Sequence, residues 1–131
     1  MRLELPASLP PVAGNRAQLT QAIINLVMNA FEAIGDNDGY RPEIEIGARQ
    51  DESGRVHVTV RDSGRGIGPE IMPRLFEPLF TTKPQGVGLG LAVVRSIIEN
   101  HGGRLRAVEN PDRGATLEFD LPGKDRPPNV P

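Results

Sequence analysis

Residues Arg16–Ile34, RAQLTQAIINLVMNAFEAI, constrain this chain more than any other stretch. At about 100° per residue, Leu19, Ile23, Leu26, Val27, Ala30 and Ile34 fall on one side of a helix, the pattern of a face buried against a sheet. Gln21, Asn25, Asn29 and Glu32 stack along another side within roughly an 80° wedge, and three of these four are neutral carboxamides. Asn is a mediocre helix former, so two of them one turn apart in mid-helix point to a use beyond helix building. A carboxamide oxygen ligates a hard cation such as Mg²⁺, which is usually held by one or two protein oxygens plus substrate phosphates. By itself the helix fits that reading and an ordinary polar face equally well. Asn15 predicts its N-cap, with Gln18 completing a capping box.

The surrounding pattern predicts strands more than helices. Alternation predicts a short strand at residues 1–5 and an extended segment or loop at residues 10–14. Turn-rich residues 35–39 end the helix, and strands follow at residues 43–48 and 55–61, with a hairpin turn at 51–54 between them. His57 lies on the outward phase of its strand and reads as a surface residue. Two more strands, residues 104–109 and Ala115–Leu121, flank a turn at 110–114. Pro69 opens a short helix that Pro73 limits, and a clear helix runs from Leu89 to about Asn100, with Leu91, Val94, Ile97 and Ile98 at helical spacing. His101 and the two glycines behind it form its C-terminal end, which gives His101 a structural role. At 131 residues there is room for one domain, taken as residues 1–122 with residues 123–131 a Pro-rich disordered tail.

Two glycine-rich stretches interrupt this scaffold. Asp62-Ser63-Gly64-Arg65-Gly66-Ile67-Gly68 follows directly on a strand; its glycines permit left-handed turns and let a flat ring approach without a Cβ in the way. An ionised Asp only accepts, so a partly buried one needs a donor, and the exocyclic amine of a purine would serve; a plain turn with Asp as turn former is the alternative. Gly86-Val87-Gly88-Leu89-Gly90-Leu91 feeds a helix N-terminus, where free amides and the dipole suit phosphate groups. The stretch before it, FEPLF and then Thr81-Thr82-Lys83-Pro84-Gln85, reads as a lid or as a surface loop.

Composition removes several other classes. A net charge of −2 and a pI near 5.7 give no basic footprint for nucleic acid. Neither a membrane span nor a signal peptide is seen, so no membrane contact is expected from this domain and a cytoplasmic setting fits. Without Cys there is no disulfide scaffold, thiolate zinc site or Cys nucleophile, and His57 and His101 lack a metal-type spacing.

NLVMNAFEA, DSGRGIG, FEPLFTTK and GVGLGL stand in the order and at the spacings of the N box, first glycine box, F box and second glycine box. The chain thereby resembles the ATP-binding catalytic domain of sensor histidine kinases, within the wider family of gyrase, heat-shock chaperone and mismatch-repair ATPases. Its short lid and TTK look most like the nitrogen-regulation and oxygen-sensing branch. The resemblance implies an α+β fold, a two-layer α/β sandwich (Bergerat fold) whose mixed, mostly antiparallel sheet packs against about three helices beneath an ATP lid.

It also implies roles for single residues. Asn29 would ligate the Mg²⁺ that bridges the ATP phosphates, with Asn25 beside it. Asp62 would accept from the adenine amine, Gly64 and Gly66 would make room for the ring, and Ile67 would belong to the same cofactor-binding set. Gly86, Val87, Gly88, Leu89, Gly90 and Leu91 would line the phosphates, Lys83 would reach them from the lid, and Thr116 would back Asp62, often through water. The implied activity is transfer of the γ-phosphoryl to a His on a separate dimerisation domain, with a response regulator downstream. No segment before residue 16 has the length of a long helix bearing that His.

Two positions qualify the picture. Many relatives carry a Lys where Glu32 stands, so phosphate charge would fall to Mg²⁺, Lys83 and backbone amides. In the hydrolysing ATPases and related serine kinases a Glu occupies the place of Asn25, and Asn cannot act as a general base at neutral pH. That favours phosphoryl transfer over a hydrolysing clamp, the alternative reading, or a nucleotide-binding regulator without chemistry.

Overall fold

The computed structural model describes residues 2–4, 14–35, 42–77 and 90–123. Among them the order is β1 (Arg2–Glu4), α1 (Arg16–Ile34), β2 (Ile44–Gln50), β3 (Val56–Asp62), a 3-10 turn (Met72–Arg74), α2 (Gly90–Asn100), β4 (Leu105–Glu109) and β5 (Ala115–Leu121). The five strands form one sheet in the order β1-β2-β3-β5-β4, with β1 parallel to β2 and every other pair antiparallel. Both helices lie on one face of the sheet, giving the two-layer α+β sandwich expected.

Strand alternation decides the two faces. Val56, Val58 and Val60 of β3 and Leu117, Phe119 and Leu121 of β5 turn toward the helices, where they meet Ala22, Leu26 and Ala30 of α1 and Val94 and Ile98 of α2. Leu26 is fully buried, worth roughly 2 to 3 kcal/mol over leaving it in water. Outward residues carry charge: Arg106 bridges Glu118 and Asp120, and Arg55 also pairs with Asp120. His57 is on this outer face as expected, yet its side chain is only 12% exposed because it lies between Asp51 and Glu118.

The helix ends differ instructively from expectation. Asn15 does cap α1, its Oδ1 accepting the Gln18 N–H at 3.0 Å. The reciprocal bond of a capping box is taken over by His101, whose Nε2 accepts the Asn15 N–H at 3.0 Å while its Nδ1–H donates to the Ile97 carbonyl at 2.7 Å. These are the roles of one neutral tautomer, and they clip the end of α2 to the start of α1. Pro69 does not open a helix. The short helix is a 3-10 turn that begins at Met72 and contains Pro73 in its first turn, so the described residues hold two α-helices and this one short helix, in line with the about three expected. Gly123 forms a bridge one residue past the expected boundary, and the rest of that tail lies outside the described residues.

Candidate functional site

β3 ends on Asp62, in phase with Val56, Val58 and Val60, so its carboxylate faces the helix layer and is 5% exposed. Oδ1 accepts the N–H groups of Gly64 at 2.8 Å and Ala115 at 3.4 Å. Among the described residues no donor reaches Oδ2 and no cation pairs with the group. Burial raises its pKa against the pull of those two N–H donors, and the charge of Glu109 adds to the rise.

Asp62 borders a cavity of about 360 Å³, in the size range of small-molecule sites. Asn29 and Ala33 line it from α1, Gly66, Ile67 and Gly68 from the loop, and Ala115 and Leu117 from β5. An acceptor-only carboxylate thus stands among apolar and backbone surfaces, with a carboxamide on the same wall. That arrangement recognises a flat apolar ring bearing an exocyclic amine, joined to something that a hard oxygen donor serves.

The glycines of the loop do different work. Gly66 has φ +81°, a left-handed conformation that glycine adopts without strain. A Cβ on Gly64 would come within 2.4 Å of the Ala33 carbonyl oxygen, so that residue is glycine because the loop packs against the backbone of α1. Among the glycines of the loop, Gly66 and Gly68 line the cavity and Gly64 does not. The Arg65 N–H donates to the same Ala33 carbonyl at 3.2 Å and ties the loop to the helix.

Asn25 and Asn29 separate. Asn29 lines the cavity, whereas the Asn25 oxygen accepts from Gln21 Nε2 at 2.6 Å and its Nδ2 reaches the Gly90 carbonyl at 3.4 Å. Asn25 therefore connects α1 to Gly90, the first residue of α2. Thr116 is also off the cavity wall. It faces away from the cavity, and its hydroxyl donates to Asn110 Oδ1 at 2.6 Å, while Asn110 Nδ2 donates to the Asp62 carbonyl at 2.9 Å. Thr116 backs the Asp62 main chain through Asn110, and Ala115 is the residue that fronts the carboxylate.

Gly90 and Leu91 begin α2, and a Cβ on Gly90 would meet nothing within 4 Å. Lys83 with its lid, and Gly86, Val87, Gly88 and Leu89 of the stretch assigned to the phosphates, lie outside the described residues. Glu109 and Asn110 were missed. A carboxylate on the inward phase of a strand, after Leu105 and Ala107, was the available signal for the first; nothing beyond turn chemistry marked the second.

Residues 14–125 match the family model described as histidine kinase-, DNA gyrase B-, and HSP90-like ATPase. The chain belongs to this ATPase family. Its similarity within the family is to sensor histidine kinases. It is 38% identical to the sensor protein FixL of Bradyrhizobium diazoefficiens, over 95% of this chain and 24% of that protein. Identity to the sensory histidine kinase/phosphatase NtrB of Rhizobium meliloti is 49%, over 73% of this chain and 28% of that one. The chain thus spans about a quarter of the length of these curated relatives. Among solved structures, the catalytic domain of histidine kinase ThkA superposes with a TM-score of 0.81 at 35% identity, covering 94% of this chain and 78% of that domain. ThkA in complex with the response regulator TrrA gives 0.75 at 33% identity, over 94% and 34%. The α+β architecture and the ATP-binding character of the family agree with the cavity beside Asp62. No helix among the described residues of this ATPase-family domain is long and apolar enough to cross a membrane.

Proposed function

We propose that this domain binds Mg·ATP in the cavity beside Asp62 and transfers the γ-phosphoryl to a histidine of a separate helical dimerisation domain. The observation that carries the reading is the buried Asp62, which has no cationic partner among the described residues and is left with an oxygen for an incoming donor. The adenine amine supplies that donor, Ile67 and Leu117 cover the ring, and Gly66 lets the backbone lie close to it.

The donor set suits a hard cation. Asn29 offers a neutral oxygen on the cavity wall, and among the described residues no three His, Cys, Asp or Glu side chains gather to hold a metal without phosphate. Asn29 would hold Mg²⁺, which when bound neutralises and orients the phosphates. In the transfer an imidazole nitrogen forms a bond to the γ-phosphorus as the bond to the β,γ-bridging oxygen breaks, and ADP leaves. The domain's part is to place the γ-phosphoryl and balance its charge. Glu32 cannot meet phosphate charge, so Lys83 and the amides of residues 86–91 are assigned that task. Asn25 offers no general base for water, which favours transfer over hydrolysis.

A cytoplasmic setting, an acceptor domain of the parent kinase and a response regulator that takes the phosphoryl onward complete the reading; the structure of ThkA in complex with the response regulator TrrA supports the last of these partners. The test mixes the domain with the helical domain of an NtrB- or FixL-type kinase and γ-labelled ATP. Acid-labile, base-stable label on the helical domain is expected. Absence of label with a domain that still binds ATP would overturn the kinase reading.

A further inference from the structure

β4 alternates as an edge strand should, with Leu105 and Ala107 against the core, but the next residue on that phase is Glu109. Its register partner is Ala115, whose N–H reaches Asp62. Across the gap Glu109 Oε1 accepts the Ile67 N–H, and a Cβ on Gly66 would lie 2.7 Å from Oε2. The other ties of this loop come before that point, Gly64 N–H to Asp62 and Arg65 N–H to Ala33, or fall within its own following turn, where Gly68 accepts from Ile71 and Met72. Among the described residues, Glu109 is what joins the Gly66–Ile67 peptide to another element.

We infer that Glu109 is a positioning residue of the nucleotide site, its carboxylate anchoring the Gly66–Ile67 peptide so that the loop keeps the wall of the cavity beside Asp62. The inference rests on the nucleotide-binding reading of that cavity. A carboxylate accepting a backbone N–H makes a charge-assisted bond, stronger than a neutral one. Gly66 and Ile67 have no side-chain polar group with which to hold themselves, so the loop borrows its anchor from β4. The same carboxylate also sets the electrostatics of Asp62. On the side of the nucleotide cavity the charged groups are Glu109 from β4 and Arg65 and Glu70 from the loop, while α1 presents the uncharged Asn29 and Ala33; Glu43, Glu45, Arg61, Asp112 and Arg113 line a second cavity that Asp62 also borders.

The test uses Glu109→Ala, Glu109→Asp and Glu109→Gln, read first by amide hydrogen exchange at Ile67 without nucleotide and then by calorimetry with ADP. Glu109→Ala is expected to speed Ile67 exchange and weaken ADP binding, each by about tenfold, the equivalent of one modest hydrogen bond. Glu109→Asp keeps the charge but loses the reach of one methylene, and should match Glu109→Ala. Glu109→Gln keeps an acceptor oxygen without the charge and should restore most of both readouts, while moving the pH midpoint of ADP binding downward because the charge beside Asp62 is gone. A purely structural role would leave that midpoint in place. Unchanged Ile67 exchange in Glu109→Ala, or a Glu109→Gln variant as impaired as Glu109→Ala, overturns the inference. A wild-type domain that binds no ADP sinks the reading of the site instead, and the exchange rates still decide the anchor.

Discussion

Two aspartates on adjacent strands are buried to the same extent, Asp62 at 5% exposure and Asp120 at 6%, and are put to opposite uses. Asp120 lies on the outer face of the sheet, where Arg55 Nε and Nη2 meet its Oδ1 and Arg106 Nη1 meets its Oδ2 at 3.0 Å. Burial alone would raise its pKa, but the two guanidiniums outweigh it and hold the group below the ordinary carboxylate range. Asp62 lies on the helix face with two backbone N–H groups on one oxygen and no cation among the described residues, so burial wins and its pKa rises. Equal burial with opposite outcomes shows that desolvation alone does not mark a site. What marks it is a cost left uncompensated by the protein and open to a ligand.

The largest expected effect follows from that difference. Asp62→Ala should weaken ADP or ATP binding on the order of 100-fold, the value of a hydrogen bond to a buried charged acceptor. Asp120→Ala should change the same affinity less than about twofold, since it is on the far face of the sheet. Calorimetry on both variants checks the pair, with GTP as control for base selection. Comparable losses in the two variants would break the comparison.

On stability the order reverses. Asp120→Ala strands Arg55 and Arg106, both already partly in water, and should cost about 2 kcal/mol by denaturant unfolding, below the full penalty for a broken buried pair. The pH dependences run in opposite senses as well. The Asp120 contribution is present above its unfolded pKa of 3.8 and is lost as pH falls through the lower folded value. For Asp62 the folded value is the higher one, so its contribution is complete below 3.8 and is lost as pH rises from there through the raised folded value. Nucleotide affinity should therefore fall as pH drops through the raised Asp62 value, where the acceptor becomes protonated. Binding measured from pH 8 down to pH 4, with unfolding followed on to about pH 2 so that the range below 3.8 is covered, separates the two.

How much of this was legible in sequence depended on distance along the chain. α1 was placed residue for residue by its apolar spacing, its Asn15 cap and the Gly35 beyond it, and the β2–β3 turn by Asp51 and Gly54, all local signals. Asp62, Asn29, Gly66 and Ile67 were found as candidates because a motif gathers each into a short stretch. Contacts that join distant stretches were not legible, since periodicity assigns a side chain to a face but not to a partner. His101 meets Asn15 across 86 positions, Asn25 meets Gly90 across 65, and Glu109 meets Ile67 across 42. Thr116 shows the same limit at one-residue resolution: alternation along β5 turns it outward and Ala115 inward, which a motif match without a strand phase did not resolve.

The smallest effect is the sharpest check, because it asks for a gain. Asn is nearly isosteric with Asp, and in Asp62→Asn the amide oxygen can still accept from Gly64 while the buried charge disappears. If the Asp62 charge is a cost the nucleotide-free domain carries at neutral pH, this variant should be more stable than wild type, because the group that burial disfavours is no longer there to ionise. Its stability should also lose the decline that wild type shows as pH rises through the Asp62 titration. Asp120→Asn, the same change in chemistry at equal burial, should lose stability because two guanidiniums lose an ionic partner. Chemical denaturation of the two variants without nucleotide measures both signs. Two losses would mean that Asp62, like Asp120, is satisfied by the fold itself, and the reason for assigning it to a ligand would be gone.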